Sequence, residues 1–144
     1  MTQFGIMKNL LSGEIPGDLF RNWPGLVSFQ VQDNLFHEQI PAEIELVTEL
    51  PHLCLFNNFL AGPFPPEIGD LINLVELDFS NKSFSGLISA EIGKFTNLTS
   101  LSLFFNNLTA TIPAEIGNMN SLKNFDVNTN QLEGELPSTI SRLE

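Results

Sequence analysis

A period of 24 residues runs through the chain and restricts its fold more than any other feature of the sequence. A leucine recurs at this spacing at Leu26, Leu50, Leu74, Leu98 and Leu122, and we number it position 1 of each unit. Apolar residues recur at positions 4, 6, 11, 15, 19 and 22, and asparagine occupies position 9 in four of these five units. One unit cannot bury its own apolar residues, whereas stacked units share a continuous core. The period therefore predicts a repeat solenoid.

A leading unit fits the same frame if it contains one extra residue. Asn9, Gly13 and Pro16 match positions 9, 13 and 16, and the insertion falls within residues 20–25. We expect Trp23 to take the place of the apolar residue at position 22. The predicted repeats span residues 1–25, 26–49, 50–73, 74–97, 98–121 and 122–144, so the chain reads as a single domain, 1–144, of about six repeats without a linker.

The residue pattern within a unit predicts the path of its backbone. Apolar positions 4 and 6 alternate with polar ones, which indicates a strand with one buried face. The asparagine at position 9 follows the strand, where its carboxamide can satisfy backbone groups of neighbouring coils. Glycine at position 13 and proline at position 16 turn the chain and exclude a regular helix. Strands of successive units then lie parallel, about 4.8 Å apart.

The repeat pattern resembles a known family. The segments NNFLAGPFPPEIGDLINL and NNLTATIPAEIGNMNSL carry N-x-L-x-G-x-I-P-x-x-I-G-x-L-x-x-L, and the pattern extends from about Asn9 to Leu143. The pattern is similar to the plant-specific class of leucine-rich repeat, and segments such as SLSLFFNNLT resemble sequences in the ectodomains of plant leucine-rich repeat receptor-like kinases. The resemblance implies an α/β-type repeat solenoid, a short right-handed arc with a parallel β-sheet on its concave face.

The same resemblance implies a function. It points to a non-enzymatic protein- or peptide-binding module in plant signalling, in defence or development, with no cofactor. Another leucine-rich repeat receptor is among the partners that it implies. Two other kinds of surface remain open, namely ice binding and cell-wall recognition of the polygalacturonase-inhibitor type. Ice binding needs a flat, regular column of threonine or asparagine, whereas Thr109 and Thr111 are isolated and the position-9 asparagines are predicted to point inward.

The chain departs from the family pattern at several positions. Receptor ectodomains of this kind carry cysteine-pair caps, whereas Cys54 is the single cysteine of this sequence. Lys82 replaces asparagine at position 9, Glu38 and Ala110 replace glycine at position 13, and Glu45 replaces glycine at position 20. End units without caps expose apolar edges. We therefore expect marginal stability, self-association through the ends or docking onto another repeat array.

Charge and composition exclude several classes of function. Six Lys plus Arg against 17 Asp plus Glu give a formal net charge of -11 in 144 residues. This balance argues against nucleic acids and anionic membranes as partners, because both need basic contacts. No apolar run is long enough to insert into a membrane. With one cysteine, Cys54, and two histidines, His37 and His52, the chain has few of the usual thiolate and imidazole ligands, so we expect no metal site.

The beginning of the chain predicts no secretion signal, because only short apolar pieces precede Gly13 and Pro16. If Met1 is the natural start, the sequence predicts a cytoplasmic protein. If the chain is part of a receptor, it predicts an extracellular or plasma-membrane-associated one. Asn81, Asn97 and Asn107 each begin an N-x-S/T sequon. They are candidate N-glycosylation sites only in the secretory pathway.

The outward side chains of the predicted strands define the candidate site. Phe56, Phe104 and Phe105 are aromatic residues on a polar face, which suggests a binding hot spot. Local packing of these rings is the alternative. Acidic residues on the same face favour a basic partner, and a merely solvated face is the alternative there. The predicted partner-binding residues are His52, Phe56, Glu76, Asp78, Ser80, Asn81, Ser102, Phe104, Phe105, Asp126 and Asn128.

Catalysis is not expected from this sequence. His52 and Cys54 share a face of one predicted strand, and a Cys-His pair can form a nucleophile. No third residue to orient the histidine and no oxyanion hole accompany the pair. Asp78 and Asp126 are predicted two strands apart, about 10 Å, which is too far to share one metal ion.

Overall fold

A computed structural model describes residues 1–80 and 83–143. Within them the chain forms two parallel sheets and a series of short helices. The strands are β1 (Gln3–Gly5), β2 (Ser12–Gly13), β3 (Ser28–Gln30), β4 (Leu35–Glu38), β5 (His52–Cys54), β6 (Phe59–Pro63), β7 (Glu76–Asp78), β8 (Ser83–Leu87), β9 (Ser100–Ser102), β10 (Asn107–Thr109) and β11 (Asn124–Asp126). The helices are the α-helix α1 (Asp18–Asn22) and the 3₁₀ helices η1 (Ala42–Leu46), η2 (Pro66–Asp70), η3 (Ala90–Lys94), η4 (Ala114–Asn118) and η5 (Ser138–Arg142).

The odd-numbered strands form the first sheet, which is six-stranded and runs in chain order from β1 to β11. Its register follows the sequence period, since Leu53 of β5 lies opposite Leu77 of β7 and Leu77 lies opposite Leu101 of β9. Residues at one position of the repeat therefore form a column across the sheet. The even-numbered strands β2 to β10 form the second, five-stranded sheet. This arrangement confirms the α/β repeat solenoid.

The core occupies the space inside the coils. Positions 1, 4 and 6 of the first sheet, positions 11 and 15 of the second, and positions 19 and 22 of the helical side all point into it. The residues at positions 19 and 22 of the four central units have no exposed surface; they are Ile44, Val47, Ile68, Leu71, Ile92, Phe95, Ile116 and Met119. At the last unit the equivalent Ile140 and Leu143 are only partly buried. The predicted apolar frame is thus the core.

The position-9 asparagines form the predicted ladder. Asn58 is fully buried, and its Nδ2 donates to Leu55 O of its own coil and to Val31 O of the preceding coil, both at 3.0 Å. Its Oδ1 accepts from Phe36 N at 3.1 Å. Each carboxamide therefore joins two coils through three backbone groups. The same pattern recurs at Asn34, Asn106 and Asn130. Lys82 lies outside the described residues.

The extra residue of the first unit is accommodated by α1. Trp23 O accepts from Leu26 N at 3.0 Å, as position-22 carbonyl groups do in later units, so Trp23 takes position 22 as predicted. Its ring packs against Phe4, with the centroids 5.3 Å apart. The added side chain is Phe20, which is 1% exposed and fills the interior beside Phe29.

The turn at position 13 has a left-handed backbone in all six units. Glycine supplies it in four of them, for example at Gly62 with a φ of 97°. Glu38 and Ala110 adopt it at φ values of 68° and 62°. A left-handed conformation costs a residue with a Cβ about 1–2 kcal/mol. Glu38 and Ala110, which replace glycine at this position, therefore keep the geometry of the turn at the cost of a strained backbone.

The ladder predicts a large loss of stability on substitution of Asn58. Asn58→Ala leaves three buried backbone groups without a partner, so we expect the free energy of unfolding in urea to fall by about 3 kcal/mol or more. Asn73→Ala is the control, because the exposed Asn73 amide makes one bond, to Thr48 O. It should cost less than about 1 kcal/mol. Equal losses in the two variants would contradict the role of the ladder.

The strained turn predicts a stabilising substitution. We expect Ala110→Gly to raise the free energy of unfolding by about 0.5–1 kcal/mol, because the relieved strain exceeds the entropy that glycine adds to the unfolded chain. Ala114→Gly, at the first residue of η4, should lower it by about 0.5–1 kcal/mol. Urea titrations of the two variants measure both values. A loss at Ala110 as large as that at Ala114 would show that the turn is unstrained.

Candidate functional site

The candidate site is the concave face, which is formed by the outward side chains of the first sheet and of the turn that follows each strand. The register brings the predicted residues onto this one face in columns at positions 3, 5, 7 and 8. His52, Glu76 and Asn128 are exposed there. The partly buried members are Phe56, Asp78, Ser102, Phe104 and Asp126. Asn81 lies outside the described residues.

Phe104 and Phe105 form an aromatic pair next to β9. Their ring centroids are 5.9 Å apart with an interplanar angle of 41°. Phe105 is 54% exposed, whereas Phe104 is partly buried. A groove of about 230 Å³ opens beside the pair, between two successive turns. It is lined by Phe105, Asn106, Asn107, Thr129, Asn130 and Gln131.

The backbone at Phe105 is strained. Position 8 has a positive φ in each described unit, and Asp33, Asn57 and Thr129 adopt φ values of 58°, 52° and 57° there. Asp and Asn tolerate this conformation, but a bulky residue such as Phe105, at 56°, is an outlier. Its N–H still bonds Asn128 O at 2.9 Å, so the turn is the ordinary one of the fold. The sequence did not reveal this strain, because the left-handed position follows from the turn geometry and not from residue type.

Phe56 does not join this pair. It lies in the position-7 column, with one coil, that of Ser80, between it and Phe104. Ser80 is only 8% exposed, so it offers a ligand little surface. The prediction that Ser80 lines the open face is therefore corrected. The serine side chain is shorter than those of Phe56 and Phe104, its neighbours in the column, and so reaches less far from the sheet. The aromatic residues form two separate sites instead of one cluster.

Acidic residues surround the middle of the face, where His52, Glu76 and Ser100 lie opposite one another in register. Cys54 is the last residue of β5, which pairs with β7, and the pKa of its thiol responds to these acidic residues. Burial, together with the negative charges of Glu76 and Asp78, raises the pKa of the Cys54 thiol above its ordinary value. The part of this shift that comes from Glu76 and Asp78 has the sign that favours a positive charge brought by a ligand.

Two of the predicted acidic residues also have a local role. Asp78 Oδ1 accepts from Ser80 N at 2.8 Å, and Asp126 Oδ1 accepts from Asn128 N at 2.9 Å. Each carboxylate thus holds the turn after its strand and keeps one oxygen for a ligand. Sequence reasoning treated both as surface charges only. In a sequence, an aspartate at the end of a strand indicates such a bond when the residue two positions later lies in a turn and its backbone N–H can donate to the carboxylate.

The face closes at its first coils. Gln32 occupies position 7, where the strand pattern predicts an outward side chain, but it is 9% exposed, and its Nε2 donates to Met7 Sδ at 3.2 Å. Its Oε1 is buried without a hydrogen-bond partner. Burial beneath the Met7 side chain explains the difference, since the sequence does not show how far a flexible methionine folds over its neighbour.

A second acidic column, at position 18 of the repeat, lies on the helical side of the coils; its residues are Asp18, Glu43, Glu67, Glu91 and Glu115. Glu43 Oε1 accepts from Arg21 Nη2 of the preceding unit at 2.6 Å. A Cβ added at Gly93 would lie 2.8 Å from the Cβ of Glu115, so glycine at position 20 lets consecutive helical segments pack closely. These glutamates are therefore held between coils, away from the concave face.

Two sequon asparagines lie at the surface. Asn97 is exposed and donates to Ile72 O at 3.2 Å, and Asn107 is exposed at the first residue of β10. Within residues 1–80 and 83–143, which the structure describes, no group of three or more His, Cys, Asp or Glu side chains is placed so that it could hold a metal ion. The helices described for this chain include none long and apolar enough to cross a membrane.

The comparisons agree with the repeat geometry. Residues 97–119 and 121–143 match the model of the Leucine Rich Repeat family. Among solved structures, the plant peptide hormone receptor RGFR1 in complex with RGF2 matches 99% of this chain with a TM-score of 0.96 and 33% identity, over 23% of the receptor chain. A search of curated proteins finds no match.

Two further structures are similar. The leucine-rich repeat ectodomain of the membrane receptor kinase GASSHO1/SCHENGEN3 from Arabidopsis thaliana, in complex with CASPARIAN STRIP INTEGRITY FACTOR 2, matches the whole chain with a TM-score of 0.96 and 33% identity, over 17% of its own length. A plant ice-binding protein matches 96% of this chain with a TM-score of 0.89 and 31% identity, over 45% of its own length. The chain resembles plant leucine-rich repeat receptor ectodomains, and it spans 23%, 17% and 25% of the RGFR1, GASSHO1/SCHENGEN3 and TDR chains.

The acidic field predicts a change in the reactivity of Cys54. Glu76→Gln removes a negative charge that raises the thiol pKa, so the thiolate fraction at pH 8 increases. We expect the rate of alkylation by iodoacetamide to rise about two-fold. The pH–rate profile gives the pKa directly. Glu115→Gln, on the position-18 column, is the control and should leave the rate unchanged. An unchanged rate in Glu76→Gln would show that the face exerts no such field.

Proposed function

We propose that this chain is a non-enzymatic module that binds a protein or peptide through its concave face, as part of a plant signalling receptor of the leucine-rich repeat kind. The observation that carries the proposal is the exposed, strained Phe105 next to Phe104. Folding explains the inward residues of every coil. It does not explain an outward phenylalanine in a left-handed turn.

The energetics of Phe105 support a binding role. Its left-handed backbone costs about 1–2 kcal/mol, and its exposed ring gains little from burial within the chain. Strained residues of this kind cluster at functional sites. Exposed aromatic side chains next to a groove are the usual anchors of protein interfaces. A partner that covers the ring and fills the adjacent groove would recover the hydrophobic energy that the fold leaves unused.

The charge of the face supports a basic partner. Glu76 is exposed, and Asp78 lies on the neighbouring strand; after burial, the negative charges of these two carboxylates are the causes that raise the pKa of the Cys54 thiol. A ligand with an apolar residue for the Phe104–Phe105 pair and lysine or arginine for the acidic coils would match the face at both points. Such complementarity increases the rate of association as well as its selectivity.

The similar structures support partners of this size. RGFR1 and GASSHO1/SCHENGEN3 are complexed with RGF2 and CASPARIAN STRIP INTEGRITY FACTOR 2, and HAESA is in complex with a peptide hormone and the co-receptor SERK1. By analogy, we place this chain outside the cell, with protein or peptide partners that include another leucine-rich repeat receptor. There Asn97 and Asn107 would be available for glycosylation. A role in defence or development is part of the same proposal.

Ice binding is the second candidate, because a plant ice-binding protein has a similar structure. The outward residues at position 12 of the second sheet are Ser12, His37, Ala61, Ser85, Thr109 and Glu133. This mixed set lacks the regular column that an ice lattice requires. Cell-wall recognition of the polygalacturonase-inhibitor type has no observation of its own in this chain. Peptide binding therefore remains the proposal.

The aromatic pair predicts a variant in which binding and stability change in opposite directions. Phe105→Asn relieves the left-handed strain, so the free energy of unfolding should rise by about 0.5–1 kcal/mol. Phe104→Ser removes the second ring. A random 12-residue peptide display library is selected on the wild-type chain, and selected peptides are measured by fluorescence anisotropy. We expect peptides enriched in Lys and Arg, with affinity at least 10-fold weaker for the Phe104→Ser, Phe105→Asn double variant.

Two controls separate anchor from fold. Ala110→Gly relieves left-handed strain at position 13 of the same unit without removing a ring, and Ile72→Asn removes an exposed apolar residue elsewhere. Both should bind the selected peptides as the wild type does. The proposal is overturned if selection yields no peptide, or if the double variant binds the selected peptides with unchanged affinity.

A further inference from the structure

A second surface lies on the outer face of the five-stranded sheet, away from the concave columns. Position 10 begins the even-numbered strands of the later coils, and its side chains point outward. In the first three units these residues are Leu10, Leu35 and Phe59, which are 83%, 38% and 55% exposed. We call these three residues the apolar row.

The apolar row is not a requirement of the fold. In the last three units the same position is occupied by Ser83, Asn107 and Gln131. Strands β8 and β10 begin at Ser83 and Asn107, just as β4 and β6 begin at Leu35 and Phe59. One backbone position thus accepts polar residues in half of the solenoid. Large apolar residues in the other half need another reason, and exposed rows of this kind mark interaction sites.

The register of the sheet sets the spacing of the row. His37 lies opposite Phe59, and Ser12 lies opposite Leu35, so position 10 of each coil is displaced by two residues from position 10 of the next. Leu35 and Phe59 are therefore diagonal neighbours, about 7–8 Å apart. Alternate side chains on one face of an extended chain are about 6.6 Å apart. An extended segment with every second residue apolar would place those residues on the row.

The charges around the row indicate the intervening residues. The unit that contains Leu35 has five acidic residues and no lysine or arginine; they are Asp33, Glu38, Glu43, Glu45 and Glu49. Asp33 and Glu38 are the two that flank Leu35 along the chain. Glu38 is exposed, and its Oε1 lies 3.4 Å from His37 Nδ1. The flank of the row is thus acidic, and a basic segment complements it.

We propose that the apolar row docks an extended segment of a partner protein in which apolar residues alternate with lysine or arginine. Phe59 is the central anchor, and the exposed carboxylate of Glu38 pairs with the basic residues. Three side chains cover much less than the 800 Å² per partner of a standard interface. The contact is therefore a weak one, suited to a second point of attachment beside the concave face. The proposal depends on none of the concave-face residues.

The test uses a defined probe, a fluorescent peptide of four Leu-Lys repeats, and a matched peptide of four Leu-Glu repeats. The triple variant Leu10→Ser, Leu35→Asn, Phe59→Gln gives the row the polar residues of the later units. We expect the wild-type chain to bind the Leu-Lys peptide and the triple variant to bind it at least 10-fold more weakly. In a Phe104→Ser, Phe105→Asn background, which removes the concave aromatic pair, the same three substitutions should cause the same 10-fold loss, which separates this surface from the concave face.

Further variants test the charge and the fold. Glu38→Gln should weaken the Leu-Lys peptide about three-fold and reduce the salt dependence of its binding. The circular dichroism spectrum of the triple variant should match the wild type, and its urea midpoint should fall only modestly, because Leu35 and Phe59 are partly covered by the chain. The proposal is overturned if the wild type does not bind the Leu-Lys peptide, or if it binds the Leu-Glu peptide as well. It is also overturned if light scattering shows a wild-type dimer that the triple variant abolishes, since the row then binds a second copy.

Discussion

The carboxamide at position 9 is the interaction on which the rest of this structure depends. A coil of 24 residues must turn inside its own stack, and the turn leaves backbone N–H and C=O groups where water does not reach. Asn58 satisfies three such groups at once, in its own coil and in the preceding one. Because each asparagine joins two coils, it also fixes their relative height. The columns of the first sheet follow from that fixed height.

Once the coils are in register, inward and outward positions have separate tasks. The inward positions repeat with little variation, since a change of volume in one coil disturbs both neighbours. The outward positions are unconstrained by packing and differ from coil to coil. The solenoid therefore has distinct regions along its length: an apolar lateral row in the first coils, an acidic concave centre around Glu76, and an aromatic pair at Phe104 and Phe105. Binding proteins built from repeats vary their surfaces in this way while retaining one core.

Much of the fold could be predicted from spacing alone. The core positions, the asparagine ladder and the place of Trp23 follow from periodicity, because burial repeats whenever the coil repeats. Other features arise from contacts between side chains of different coils, which a sequence pattern does not contain. Ser80 is buried because of its position between two phenylalanines in a column, and Gln32 because Met7 lies over it. The strain at Phe105 depends on a backbone angle that asparagine, aspartate and threonine share at that position.

Because the two sheets differ in register, equivalent side chains have a different spacing on each, and a ligand that lies across one sheet meets a different repeat distance from a ligand that lies across the other. On the concave face, equivalent side chains are about 4.8 Å apart, which matches neither one nor two residues of an extended chain. A straight ligand there falls out of step with the coils, and the side chains on one of its faces return to step only after about four coils, which span about 19 Å, or about six residues of the ligand. Its specificity is then concentrated at a few well-separated contacts. On the lateral face the two-residue slip brings neighbours in the row to about 7–8 Å, close to the roughly 6.6 Å between alternate side chains of an extended segment. Over the three coils of the row, recognition there can use successive contacts instead of isolated anchors.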